Sequence, residues 1–220
     1  MENKIIILSE KDKAILQSYL TVADGVADFW GDGCEVVIHD LSKLDASVLK
    51  IVNGHLSGRT VGAPISEVTL SFLNKMLVNP ALRHVTYFAK NKRGEAFKAS
   101  ISAIEGEKGN IIGLFCINFY LSISMLSLLQ NFTPSTKAET ENISETFVEN
   151  AEELMLNALE EAKKSVYDNL SISSSNKNKE IVAILYQKGI FNLKDSVITI
   201  ANHLGISKNT VYMHIRNMNK

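Results

Sequence analysis

The stretch IANHLGISKNTVYMHIRNM, residues 200–218, restricts the possible fold more than any other part of the chain. Val197, Ile200, Ala201 and Leu204 fall at i, i+3, i+4 and i+7, which predicts one apolar face of a helix over about 195–204. Gly205 then breaks that helix by entering the left-handed region, and Ile206 plugs the corner. Ser207 stands where it can cap a further helix by accepting from the amide of Asn209 or Thr210. In that last helix Val211, Ile215 and Met218 face inward, so Lys208, Asn209, Tyr212, Met213 and Arg216 are left outside. The spacing Ala-x3-Gly-x5-Val is that of a helix-turn-helix. It sets a small residue where two helices cross, a glycine at the turn, and a branched residue that locks the second helix on the first. A preceding helix is predicted over 179–188, with Ile181, Ile184 and Leu185 apolar and Gly189 closing it.

Charge sharpens this reading. The chain as a whole is close to neutral, with a net charge of −1. From Asn176 onward, however, seven Lys/Arg face two Asp/Glu, whereas residues 1–175 hold sixteen against twenty-two. A basic tail on an acidic body points to an anionic partner for the tail. Lysine, asparagine, tyrosine and arginine on one helix face are groups that contact phosphates and base edges. The expected contacts to double-stranded DNA are therefore Ser207, Lys208, Asn209, Thr210, Tyr212, Met213 and Arg216. The alternative is a docking module in which Tyr212 and Met213 meet a protein partner without DNA.

The rest of the chain reads as one α+β domain over 1–130. A Ser-x-x-Asp start at Ser9 opens a helix over 9–30 with Ile15, Tyr19, Val22, Val26 and Phe29 at helical spacing. Two β segments (33–41 and 47–56), a helix (66–77) and three antiparallel strands (83–91, 95–106 and 110–121) follow. The apolar run 111–129 is long enough to span a bilayer, but its period changes midway, so strand then helix is expected. Residues 131–175 read as a polar linker and an amphipathic helix over 145–168, with Asn142 and Glu145 spaced as a capping box. Its stripe of Phe147, Ala151, Leu154, Met155, Ala158, Leu159, Ala162 and Val166 needs a cover. The first domain and a second copy of the helix in a homodimer are the two candidates. A second, Ser/Asn-rich linker leads to the helix-turn-helix domain at 176–220.

Two groups of residues resemble the YheO-like regulators, a family with a PAS-type sensor domain and a C-terminal helix-turn-helix. In the first half these are VNGHLSGR (52–59), VGAP (61–64) and GLFCIN (113–118). In the tail they are Ala201, LGIS (204–207) and TVY (210–212). The resemblance implies a PAS-like five-stranded antiparallel sheet with flanking helices, joined to a small all-α DNA-binding domain. It also implies a bacterial, cytoplasmic transcriptional regulator, and a small molecule or protein as the signal.

Asn53, His55, Arg59 and Asn118 are the candidate ligand contacts, with Arg59 suited to clamp a carboxylate or phosphate. The competing reading is that Asn53 and its neighbouring glycines only shape a tight loop, that His55 and Arg59 pair with nearby carboxylates, and that Asn118 satisfies a structural hydrogen bond. No nucleophile elbow, zinc spacing or phosphate loop accompanies the histidines and cysteines, so neither catalysis nor a metal site is expected, and no cofactor is indicated. Cys34 and Cys116 lie in apolar runs as buried small hydrophobes, and the short apolar run near the start is too brief for a signal peptide.

Overall fold

The computed structural model describes residues 6–133 and 147–218, which fall into an N-terminal and a C-terminal unit. Helix α1 (Glu10–Trp30) starts where the Ser-x-x-Asp signal sets it. Ser9 Oγ accepts from the Asp12 amide at 3.2 Å, and the Asp12 carboxylate accepts in return from the Ser9 amide at 3.1 Å. The same carboxylate accepts from the Glu107 amide at 3.0 Å, so one capping residue also ties down a distant turn. These two backbone donors hold the Asp12 carboxyl below its ordinary value. Ser9→Ala is expected to cost about 1 kcal/mol, read as a lower denaturation midpoint.

The buried face of α1 is not the predicted stripe. Leu16, Ala23 and Ala27 are buried, whereas Val22 is 48% and Phe29 63% exposed. The helix is rotated so that Ala23 and Ala27 approach the sheet, with Ile15, Tyr19 and Val26 packed at the margins. Close approach is also why residue 113 is glycine. A Cβ there would stand 2.5 Å from Leu16 Cδ2 and 2.6 Å from the His39 carbonyl oxygen.

Five strands form one antiparallel sheet in the order β2-β1-β5-β4-β3. They are β1 (Cys34–Asp40), β2 (Val48–Val52), β3 (His84–Lys90), β4 (Ala96–Glu105) and β5 (Ile111–Tyr120). The central strands β1 and β5 are nearly continuously buried, as expected for strands covered on both faces. Side-chain alternation sends Cys34, Val36 and Ile38 toward α1, and Val37, Leu114 and Cys116 to the other face. That second face is covered by the β2–β3 connection, which carries α2 (Glu67–Val78) with Leu73 and Met76 buried. The apolar run after β5 turns into a short helix α3 (Met125–Asn131), as its change of period predicts. No helix among the described residues is long and apolar enough to cross a membrane.

The C-terminal unit holds α4 (Ala151–Asp168), α5 (Lys177–Gln187), α6 (Ser196–Leu204) and α7 (Lys208–Met218). The predicted Asn142–Glu145 cap lies outside the described residues. Helix α4 is capped instead by Asn150, whose Oδ1 accepts from the Glu153 amide at 2.9 Å. Phe147 stands before the helix and is 88% exposed. The apolar stripe finds a cover that neither candidate anticipated. Met155, Ala158, Leu159, Ala162 and Val166 pack on Ile181, Leu185, Ile190 and Ile200 of the same unit. Helix α5 begins two residues earlier than expected, taking in the end of the Ser/Asn-rich stretch.

Candidate DNA-reading face and ligand cavity

The corner between α6 and α7 follows from a few local bonds. Gly205 adopts φ +65°, ψ +30°, its amide donates to the Asn202 carbonyl, and the Ile206 amide donates to the Ala201 carbonyl at 3.0 Å. These two bonds satisfy carbonyls that the end of α6 would otherwise leave unpaired. Ala201, buried and small, meets Val182 of α5 and Val211 of α7 in one apolar cluster, closed by Ile206, Ile215 and Met218. Ser207 Oγ accepts from the Thr210 amide at 3.1 Å and lies 2.9 Å from Thr210 Oγ1. Ser207 and Thr210 are thus engaged in starting α7.

The other predicted contacts stand outward. Lys208, Asn209 and Arg216 are exposed, Tyr212 is 59% and Met213 43% exposed. Asn209, Tyr212, Met213 and Arg216 recur at i, i+3, i+4 and i+7 and so share one face of α7. Among the described residues, Lys208 and Arg216 make no ion pair and the face makes no side-chain hydrogen bond inward. Asn202 of α6 and Asn217 of α7 are exposed as well; sequence periodicity singled out neither.

In the N-terminal unit a cavity of about 640 Å³ opens between the second sheet face and the β2–α2 connection. The four predicted ligand contacts separate here. Arg59 and Asn118 line the cavity. His55 does not: it is exposed and lines a different depression beside Asp32, Gly33 and Ser127. Asn53 takes a left-handed φ of +56° and donates from Nδ2 to the Cys34 carbonyl at 2.8 Å, which fastens the loop to β1. Asn53 thus helps to shape this loop.

Asn118 makes the structural hydrogen bond and also faces the cavity. It lies directly opposite Glu35 across the β1–β5 pair and donates from Nδ2 to Glu35 Oε1 at 2.9 Å, while remaining on the cavity wall. Glu35, fully buried, also accepts from Ser57 Oγ of the β2–α2 loop. This carboxylate therefore clasps the loop to the central strand, and sequence reasoning passed over it. The available signal was a lone acid inside the apolar strand CEVVIHD, on the same face as His39.

The polar groups around the cavity are mostly neutral near pH 7. Burial, with a further push from Arg59, lowers the His39 imidazole to about 4, and its Nδ1 lies 2.8 Å from Ser47 Oγ. Burial raises the Cys116 thiol and the Tyr87 phenol each to about 12. The basic side chains on the lining are Arg59, Lys90 and Lys92, and the acidic ones Glu35 and Glu67. No group of three or more His, Cys, Asp or Glu suited to a metal ion occurs among the described residues.

Comparison with known proteins matches both units. The model of a family described as the YheO-like PAS domain matches residues 9–134, and that of a family described as an HTH domain matches residues 158–216, beginning inside α4. The uncharacterized protein YheO of Escherichia coli K12 is 36% identical over 207 residues, covering 94% of this chain and 86% of that protein. An uncharacterized protein of Haemophilus influenzae is also 36% identical, over 94% of this chain and 93% of its own length. The transcriptional regulator DauR of Pseudomonas aeruginosa is 24% identical over 96% of this chain and 98% of its own.

Proposed function

The chain belongs to the YheO-like PAS family, and from that premise we propose that it is a DNA-binding transcriptional regulator whose PAS unit answers to a small-molecule signal. The observation that carries the reading is the outward face of α7, where Lys208, Asn209, Tyr212 and Arg216 stand without internal partners. A recognition helix needs such a face, since every one of its contacts is reserved for the duplex. The name of the relative DauR supports the same class. In this reading α7 enters the major groove, Lys208 meets a phosphate, and Asn209, Tyr212 and Arg216 reach base edges. Ser207 and Thr210, bonded to each other, set the start of the helix. Two copies of the chain bind half-sites about one helical turn apart.

The test is duplex selection from a random pool with the full chain, followed by anisotropy titrations over a range of salt. Affinity is expected to fall steeply and linearly in the logarithms of binding constant and salt. Lys208→Ala is expected to weaken all duplexes alike and to reduce the salt slope by about 1. A flat salt response, or protein binding through Tyr212 and Met213 with no duplex affinity, overturns the reading in favour of a docking module.

A further inference from the structure

We propose that the cavity of the N-terminal unit takes a small organic monocarboxylate, with the Arg59 guanidinium as its counter-charge. This rests on the reading of that unit as a small-molecule sensor and names the chemistry of what it senses. A guanidinium offers five donors in a planar fork. Among the described residues, Arg59 spends one of them, from Nη2 to the Pro64 carbonyl at 2.6 Å, and forms no ion pair. Its charge nevertheless reaches the sheet, since it bears on both His39 of β1 and Cys116 of β5. A partly buried cation on a cavity wall, with most of its donors unused, is matched bidentately by a carboxylate.

The protein's own acids do not fill that role. Glu35 is occupied by Ser57 and Asn118, and Glu67 lies in the first turn of α2, with neither at ion-pair distance from Arg59. The buried Glu35 argues for a single negative charge on the ligand. A phosphate dianion would meet this acid with one guanidinium in reach, because Glu67, Lys90 and Lys92 are all exposed. The remainder of the wall suits the organic part: Ala63, Ile65, Phe97 and Ile101 are apolar, and the Tyr87 hydroxyl is kept neutral. The volume of about 640 Å³ is that of a metabolite-sized site.

The experiment titrates the full chain by calorimetry and thermal melting with matched probes: benzoate and benzamide, hexanoate and hexanamide, phenylpropionate and its amide, and inorganic phosphate. At least one acid is expected to bind and raise the melting temperature, with its amide at least about tenfold weaker. Arg59→Gln is expected to weaken that acid by about tenfold to a hundredfold, Arg59→Lys to retain part of the binding, and neither to change the ligand-free melt appreciably. Inert acids, equal binding of acid and amide, preference for phosphate, or full acid binding by Arg59→Gln would each overturn the proposal. Duplex affinity of the ligand-free Arg59→Gln chain separates the two readings. Retained DNA binding without acid binding removes only the ligand assignment; acid binding without DNA binding removes only the regulator reading.

Discussion

Replacing Ile200 with alanine is expected to destabilise the C-terminal unit by about 2–5 kcal/mol. Ile200 has no solvent exposure and packs in the cluster that joins α4, α5 and α6 through Met155, Leu159, Ile181 and Leu185. Removing its outer carbons takes away their transfer free energy and leaves a void that surrounding helices fill only in part. The next residue, Ala201, belongs to the cluster with Val182 and Val211 that sets the seat of α7. A slack α6 therefore also loosens the helix proposed to read DNA. Urea denaturation followed by circular dichroism at 222 nm measures the loss. Ile198→Ala is the control: on the same helix but 42% exposed, it should change stability by no more than about 0.5 kcal/mol. Equal losses for the two variants would mean that the packing of α6 on α4 does not hold this unit together.

That dependence on α4 marks where sequence reading stopped. The turn of the helix-turn-helix was legible because its constraints are local: Gly205 must take a positive φ, Ala201 must be small, and Val211 follows at fixed spacing. The stripe on α4 was equally legible as a pattern, but a pattern does not name its cover. Its partners Ile181, Leu185 and Ile200 lie tens of residues further on. Helix α1 erred in another way. Two apolar stripes on it follow the helical period, and the one with the larger side chains is not the one that fits against the sheet. The stripe that is buried is Leu16, Ala23 and Ala27, and at its Leu16 end β5 comes so close that Gly113 has no room for a Cβ.

The cavity divides along the same line. Arg59, singled out in the sequence for its guanidinium fork, does line the cavity and, among the described residues, lacks the carboxylate partner that the competing reading gave it. His55 looked equally suitable in the sequence, yet the turn that begins at Asn53 directs it to a different depression. Glu35 escaped notice because its meaning is set by residues far along the chain. Ser57 is 22 residues away and Asn118 is 83, and only the β1–β5 pairing brings Asn118 opposite it. The part of the site that closes the cavity is thus a product of sheet topology.

Arg216→Ala is expected to weaken binding to a selected duplex by about 1–3 kcal/mol, a loss of roughly 5- to 150-fold. Arg216 shares its face of α7 with Asn209, Tyr212 and Met213, is exposed, and forms no ion pair among the described residues. A free planar guanidinium on a groove-facing helix matches the O6 and N7 acceptors of guanine with two hydrogen bonds. If it does so, the loss is confined to duplexes that carry the guanine, and the variant comes to tolerate other bases at that position. If it holds a phosphate, the loss is uniform over sequences and the salt slope falls by about 1, as for Lys208→Ala. Arg216→Lys distinguishes these further, because it should rescue a phosphate contact but not a bidentate base contact. Folding is not at issue in either variant, because the side chain is exposed. Affinity unchanged in both, for every duplex tested, would place the DNA-reading surface elsewhere than on α7.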